Sequence, residues 1–312
     1  MITHRLALIA GVATALAVVP AAASAGAGQG GYTTIDVPGS AATFAASVND
    51  AGVVVGWYTD SHGTNHGFID QGGAFTTVNH PHAGTAAGQG TFLGFINDQG
   101  AMAGYYVTQS GANHGFIDQG GVFTTVNDPH AGTAPGQGTV PAGITNSGVI
   151  AGSYIDAGNV AHGFIDRSGA FTTVDDPHAG TAAGQGTFLG SINDLGAVSG
   201  TYFTSHGKAI SFAGPLGAFT TVDDPAAAPV RTVAAAINDS GVIVGGYNLF
   251  THRVPRGFID QAGVFTTLND PNAGTASGQG TAAQGISNTG VIVGIYVDSS
   301  GGQHGFELSP SR

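Results

Sequence analysis

The chain has 312 residues, a formal net charge of −12, 54 Gly, 13 Pro and no Cys. Its acidic residues are 18 Asp and a single Glu, and it contains one Lys, so turn formers are abundant and strong helix formers are scarce. This composition argues against a helical bundle, a coiled coil and a disulfide framework, and seven Lys and Arg residues provide no basic surface for nucleic acid. Because 42% of the residues are hydrophobic, the chain can build a core, and we expect a turn-rich all-β protein.

Residues 1–25 have the pattern of a secretory signal peptide. Arg5 precedes an apolar stretch, Leu6–Val19, and a small-residue cleavage site ends at Ala25. The alternative is an N-terminal membrane anchor, but these 14 apolar residues fall short of the ~20 that a spanning helix needs. We therefore predict a secreted, extracellular or periplasmic protein in which residues 26–312 form one domain with no membrane span.

A unit of about 48 residues is repeated six times along the rest of the chain. Each unit carries a Phe-Thr-Thr segment, an Asx-x-Gly turn (Asx is Asp or Asn) and a Gly-Phe-type segment. The Phe-Thr-Thr segments begin at Tyr32, Phe75, Phe123, Phe171, Phe219 and Phe265. The Gly-Phe-type segments carry Phe68, Phe116, Phe164, Phe212, Phe258 and Phe306.

Within a unit, the pattern predicts four short strands. In one interior unit these are 115–118, 122–126, a strand that ends at 143–145, and 149–155. The long connection 128–138 carries Pro and Gly residues that a central strand would not accept. Four short strands repeated radially are typical of β-propeller blades.

The two ends of the mature chain indicate how the units are arranged. The first strand, Tyr32–Val37, has no preceding partner, and the last, Gly305–Leu308, has no following one. Pairing them completes a sixth blade and removes two exposed sheet edges. We therefore predict a six-bladed β-propeller with about four strands per blade; the alternative is an open β-solenoid, which would need distinct capping units.

The repeat resembles the HAF repeat of bacterial proteins predicted to be extracellular, which is named for a His-Ala-Phe tripeptide. Here the tripeptide has Gly in the middle, at His66-Gly67-Phe68, His114-Gly115-Phe116, His162-Gly163-Phe164 and His304-Gly305-Phe306, while Ile210 and Arg256 replace the His in the other two units. The resemblance implies an extracellular propeller-like protein and no particular activity. From their place before a buried strand, we expect these His residues to bond backbone groups between blades.

The longer connections are expected on one face of the disc, opposite the tight turns, and this face collects candidate ligand-binding residues. They are His82, the pair Asp128 and His130, and the pair Asp176 and His178. Placement around an axis could bring these side chains onto one ion, such as zinc. The favoured alternative is that each Asp-Pro pair forms an Asx turn and leaves its His exposed, because the pattern fades in the other units.

Residues that break the repeat are further candidates. Trp57 is the only Trp, and the most divergent units contain Arg231 and Arg256 together with Lys208 and Arg253. Such a basic cluster on an acidic protein could bind an acidic ligand or partner, or it could only balance charge.

No motif for nucleophilic or metal-dependent hydrolysis occurs, and nearly every Asp has equivalents in other units, so no two carboxyl groups stand apart as acid and base. We therefore favour a non-enzymatic, monomeric scaffold without a cofactor that binds a ligand or envelope partner, such as a carbohydrate. The alternative is an extracytoplasmic hydrolase or lyase with a metal-assisted site on the long-loop face.

Overall fold

The computed structural model describes residues 31–223, 231–248 and 254–310, so the predicted signal peptide, residues 1–25, lies outside the described residues. Within these ranges the chain forms strands and turns and no helix. In particular, this part of the chain has no helix that could cross a membrane.

The strands follow one another in a regular order. The first nine are β1 (Tyr32–Ile35), β2 (Ala42–Val48), β3 (Val54–Thr59), β4 (Asn65–Gln71), β5 (Ala74–Val78), β6 (Gly90–Ile96), β7 (Met102–Val107), β8 (Asn113–Gln119) and β9 (Val122–Val126). The next eight are β10 (Gly138–Ile144), β11 (Ile150–Ile155), β12 (Ala161–Arg167), β13 (Ala170–Val174), β14 (Gly186–Ile192), β15 (Ala197–Phe203), β16 (Ala209–Pro215) and β17 (Thr220–Thr221). The last seven are β18 (Thr232–Ile237), β19 (Ile243–Asn248), β20 (Pro255–Gln261), β21 (Val264–Leu268), β22 (Gly280–Ile286), β23 (Ile292–Val297) and β24 (Gln303–Leu308).

Each blade is an antiparallel sheet of four strands, with the first strand innermost and the last outermost. Strands β2–β5 form blade 1, and β6–β9, β10–β13, β14–β17 and β18–β21 form blades 2 to 5. The innermost strands β2, β6, β10, β14, β18 and β22 contact one another in this order, and β2 also contacts β22. The blades therefore form a closed ring.

Blade 6 takes its strands from both ends of the described chain. Strands β22, β23 and β24 supply its inner three, and β1 supplies the outermost. β1 runs antiparallel to β24, with Tyr32 opposite Leu308 and Ile35 opposite Gly305. The predicted six-bladed β-propeller and its closure by the terminal strands are confirmed.

The Phe of each Gly-Phe-type segment is the central core residue of its blade, and all six of these side chains are at most 2% exposed. The Gly of the preceding strand makes room for the ring. A Cβ on Gly104 would lie 2.3 Å from the carbonyl oxygen of Phe92 and 3.1 Å from the ring of Phe116. The two recurring residues thus depend on each other, because the ring fits only opposite a residue without a side chain.

The antiparallel order gives the disc two faces, which we call the turn face and the loop face. The turn face carries the two tight turns of each blade, and the loop face carries the longer connections, as predicted. On the turn face, six side chains form a closed ring of hydrogen bonds around the axis, which we call the Asx ring. Its members are Asp50, Asp98, Asn146, Asp194, Asp239 and Asn288.

In the Asx ring, each side chain accepts a hydrogen bond from the backbone N–H of its counterpart in the preceding blade. The Asp50 N–H donates to Asp98 Oδ1 over 2.8 Å, and the Asn288 N–H closes the ring on Asp50 Oδ1 over 2.7 Å. The ring therefore joins the first and last blades independently of the strand pairing in blade 6.

Candidate functional site

The candidate His and Asp residues lie where the connection that leaves one blade meets the next blade on the loop face. We call each such place an inter-blade junction. Between blades 2 and 3, Asp128 is 3% exposed, and its backbone N–H donates to Thr139 Oγ1 over 2.9 Å. Asp128 Oδ1 accepts from the backbone N–H of His130 over 2.9 Å, which forms the predicted Asx turn.

His130 stands out from this turn. Its Nδ1 lies 3.0 Å from Asp128 Oδ1, and 71% of its side chain is exposed. No hydrogen bond to a described residue engages its Nε2, so this nitrogen is available to a ligand. A carboxylate thus fixes the ring while one edge of the imidazole faces solvent.

The other wall of this junction comes from blade 3. The rings of Tyr154 and His162 are stacked with 4.9 Å between their centroids, and the Tyr154 ring lies 6.3 Å from that of His130. His162 Nδ1 lies 2.7 Å from Asp175 Oδ2. The fold therefore brings together two imidazoles, a tyrosine and two carboxylates from adjacent blades.

The same arrangement recurs with changes at other junctions. Between blades 3 and 4, Asp176 holds His178, whose side chain is 77% exposed and whose ring lies 6.4 Å from that of Tyr202. Between blades 5 and 6, Asn272 replaces the exposed His, and burial raises the pKa of Asp270. The junctions are therefore related sites that differ in charge and in exposed groups.

The junction between blades 1 and 2 carries a His where the three junctions described above carry the buried Asp. His80 is 7% exposed and its ring stacks on that of Tyr106 with 3.9 Å between centroids. Burial lowers the pKa of His80 to about 4, so its ring is neutral near pH 7. Its Nδ1 lies 3.3 Å from the backbone nitrogen of His82, which is exposed like His130 and His178.

The three exposed His residues, His82, His130 and His178, belong to three separate junctions. Among the described residues, no three His, Asp or Glu side chains are grouped so that they could hold a metal ion. The hypothesis of one axial ion therefore has no ligand set in this part of the chain.

The His of the His-Gly-Phe motif bonds side chains of its own blade, and the prediction of backbone partners between blades was wrong. His66 Nδ1 lies 2.8 Å from Asn79 Oδ1, and His304 Nδ1 lies 2.9 Å from Asp36 Oδ2. The cause is the strand pairing, because the residue after the outermost strand lies opposite the residue before the Gly-Phe pair. The hydrogen bond with Asp36 raises the pKa of His304, against the opposing effect of burial.

The residues that break the repeat lie in different surroundings. Trp57, on β3, is 9% exposed and stacks on Phe44 with 4.9 Å between centroids. It lines a cavity at the axis of the propeller. Arg256 replaces the recurring His and keeps its bond, because Nη1 donates to Asn269 Oδ1 over 2.8 Å. Arg231 lies 5.3 Å from the centre of the Phe203 ring, and burial lowers its pKa.

The buried Nε and Nη2 of Arg231 make no hydrogen bond to a described residue. Lys208 is exposed, and Arg253 lies outside the described residues.

The tyrosines of the junctions were absent from the sequence-based candidates. A signal for them exists in the sequence, because a Tyr precedes the recurring His by eight residues at Tyr58, Tyr106, Tyr154 and Tyr296. In an antiparallel hairpin with a short connection, this spacing places the two rings side by side on one face of the sheet.

Solved structures with this fold include the lectin of Aleuria aurantia. A variant in complex with Fucα1-6GlcNAc has a TM-score of 0.52 and 13% identity, over 86% of this chain and 91% of the lectin. Another structure of the lectin, described as a six-bladed β-propeller with a novel fucose recognition mode, has a TM-score of 0.51 and 15% identity over 84% and 89%. TolB from Acinetobacter baumannii has a TM-score of 0.52 and 11% identity over 86% of this chain and 63% of its own.

At these identities the likeness establishes the six-bladed propeller fold and nothing finer. No family model matches the sequence, and no curated protein is detectably similar to it. The resemblance to the HAF repeat stays a prediction.

Proposed function

We propose that this protein is a secreted or cell-surface carbohydrate-binding propeller without catalytic activity, and that sugars bind at the inter-blade junctions of the loop face. One observation carries the proposal: a carboxylate-supported, solvent-exposed imidazole beside an aromatic ring recurs at successive junctions of a fold shared with a fucose-binding lectin. Secretion rests on the signal-peptide pattern of residues 1–25.

The chemistry of the junction suits a sugar. A sugar ring offers hydroxyl groups that donate and accept hydrogen bonds and an apolar face that packs on aromatic rings. At the junction of blades 2 and 3, His130 offers its ring face and Nε2, and the adjacent His162 and Asp175 add polar groups. Asp128 holds the His130 ring in place before a ligand arrives, which lowers the entropic cost of binding.

Repetition favours binding over catalysis. His82, His130 and His178 occupy equivalent places, so several weak sites lie on one rigid face and can engage a branched or clustered glycan together. Catalysis usually requires one site in which the acid and the base have unlike surroundings. The metal-assisted hydrolase or lyase considered above lacks three convergent ligands among the described residues.

The test is a glycan array followed by calorimetry, beginning with fucosylated glycans and methyl fucoside. The wild type should bind clustered glycans and bind the single sugar weakly. The triple variant His82→Ala, His130→Ala, His178→Ala should lose most of this binding because all three exposed rings are removed. A matched control, His62→Ala with His206→Ala, removes exposed His residues of other loops on the same face.

Failure of the wild type to bind any clustered glycan would overturn the proposal, as would an equal loss in the control variant. Hydrolysis or elimination of a bound glycan by the pure protein would overturn its non-enzymatic part.

A further inference from the structure

The axis of the propeller contains a second type of cavity that the repeated junctions do not explain. Two adjacent cavities lie along the axis, one of about 90 Å³ behind the Asx ring and a deeper one of about 80 Å³. Ala46, Phe95 and Gln284 line both of them. The wall of the deeper cavity, which we call the axial cavity, includes Trp57, Phe92, Tyr105, Val140 and Phe188.

The side chains at this axis depart from the six-fold repeat. Each innermost strand carries the same Thr, at Thr43, Thr91, Thr139, Thr187, Thr232 and Thr281. The residue after it varies, as Phe44, Phe92, Val140, Phe188, Val233 and Ala282. The residues across from these on the second strand differ in every blade, as Trp57, Tyr105, Ser153, Thr201, Gly246 and Ile295.

Part of this variation is steric, since six large side chains cannot meet at one axis. Filling the axis does not account for all of it, because the chain keeps small residues beside the large ones. A Cβ built on Gly94 has its nearest neighbour at 4.0 Å, so a side chain would fit there and would close the space. The space at the axis is therefore open because the sequence has small residues there, and packing of the surrounding side chains does not require it.

Two polar groups in the wall of the axial cavity have no hydrogen-bond partner among the described residues. Three residues after the common Thr, five blades carry Ala or Gly and blade 6 carries Gln284. No hydrogen bond to a described residue engages the Gln284 amide or the Tyr105 hydroxyl. Tyr105 stacks on Phe92 with 4.6 Å between centroids and 2° between planes, so its ring is held firmly. Unpaired polar groups on an otherwise apolar wall are the usual way a pocket orients a small ligand.

We propose that the axial cavity binds one compact aromatic molecule whose polar end is neutral or positively charged. The aromatic ring packs among Trp57, Tyr105 and Phe188, and the polar end bonds the Gln284 amide. The axial cavity and the adjacent cavity behind the Asx ring, which Gln284 also lines, together are large enough for one such molecule, because apolar cavities of about 150 Å³ bind benzene-sized molecules.

The charge preference follows from the acidic residues at the turn-face end of the axis. The Asx ring places Asp50, Asp98, Asp194 and Asp239 around the axis, and the net charge of the chain is −12, so an anion is repelled. This site takes one ligand per chain and is separate from the junctions proposed for sugars.

The only Trp of the sequence lies in the wall and reports occupancy directly. The full-length protein is titrated with benzyl alcohol, benzylamine or benzoate, while Trp57 emission is recorded by selective excitation and stoichiometry by calorimetry. We expect benzyl alcohol and benzylamine to shift the emission at one molecule per chain, and benzoate to bind at least about tenfold more weakly.

Two variants test the position of the site. Gly94→Leu fills the cavity and should abolish the emission shift, whereas Ala170→Leu adds similar bulk to an exposed outer strand and should leave it intact. Gln284→Ala keeps the aromatic wall, introduces the residue of other blades, and should weaken benzyl alcohol binding about fivefold to tenfold.

An emission that none of the three probes changes would overturn the inference, as would equal responses of Gly94→Leu and Ala170→Leu. Should Gly94→Leu not fold, wild-type affinity in Gln284→Ala would still overturn the assigned polar contact. Glycan binding by folded Gly94→Leu should be unchanged, which separates this site from the junctions.

Discussion

A disulfide between the terminal strands provides a direct measure of ring closure. Thr33 lies opposite Glu307 in the pairing of β1 with β24, and the chain has no Cys of its own. Side chains directly opposite in an antiparallel pair have Cβ atoms about 4.5–5.5 Å apart, close to the spacing of a disulfide. The double variant Thr33→Cys, Glu307→Cys should therefore form an intramolecular cross-link under mild oxidation.

The expected gain is large because the cross-link encloses almost the whole domain. The closed loop contains about 275 residues, for which the loss of unfolded-chain entropy corresponds to roughly 5–6 kcal/mol. The matched control is Ile69→Cys with Thr76→Cys, the corresponding pair between β4 and β5. Its loop of about eight residues should give roughly 2–3 kcal/mol.

The measurement compares urea unfolding of the oxidised and reduced forms of each double variant, so that the cost of the substitutions themselves cancels. We expect the terminal cross-link to stabilise more than the control by roughly 3 kcal/mol. Failure of the terminal pair to cross-link as a monomer, while the control pair does, would refute the closure. Equal gains for both pairs would refute the argument from loop length.

Three further substitutions test the core, the pH dependence and the Asx ring. Burial lowers the pKa of His80 to about 4, so between pH 6.5 and 4 the unfolded chain binds a proton at this residue and the folded chain does not. The free energy of unfolding should therefore fall by up to about 3 kcal/mol as the pH is lowered from 6.5 to 4. His80→Asn keeps the Asx turn without titrating and should lose this part of the pH profile of urea unfolding; an unchanged profile contradicts the assignment. Gly104→Ala forces a Cβ to 2.3 Å from the Phe92 carbonyl oxygen and should lower the free energy of unfolding, measured by thermal unfolding, by about 3 kcal/mol or more. The control Gly94→Ala has space for its Cβ and should lower it by less than about 1 kcal/mol; similar losses for both variants would contradict this packing. Asn146 Nδ2 donates to Asp98 Oδ2 over 2.8 Å and to Asp194 Oδ2 over 2.5 Å. Asn146→Asp replaces these bonds by repulsion between carboxylates and should destabilise the protein by about 1 kcal/mol at low salt and by less at high salt; a loss that does not depend on salt would contradict this prediction.

The fold was predictable from local signals that repeat. The buried Phe116 and the tight turn after it mark a hairpin, and six copies of the pattern mark the blades. The closure was predictable because Tyr32 and Phe306 belong to segments that are paired in every interior unit. The order of strands from axis to rim was not predictable, because the inner and outer strands are both short and rich in β-branched and aromatic residues.

The site was less predictable because it depends on contacts between units. The Asx turn at Asp128 is local and could be derived from the Asp-Pro pair. The proximity of His130 to Tyr154 depends on how neighbouring blades pack, which no periodicity within a unit encodes. Trp57 could be placed near the axis only once β2, the strand that pairs with its own strand β3, was known to be innermost. The place of Trp57 in a cavity wall was therefore not predictable from the sequence.

The offset between sequence unit and blade has a consequence for how the length of such a chain can change. Tandem duplication of any internal stretch of about 48 residues would supply one complete additional blade and leave the two end segments still able to meet. Rings of four to eight blades are known for this architecture, so the gene could gain or lose a unit while the same pairing of terminal strands still closes the ring. Each such event would add or remove one inter-blade junction and would also change the residues that line the single axial cavity. The number of junction sites and the specificity of the axial cavity could therefore evolve separately.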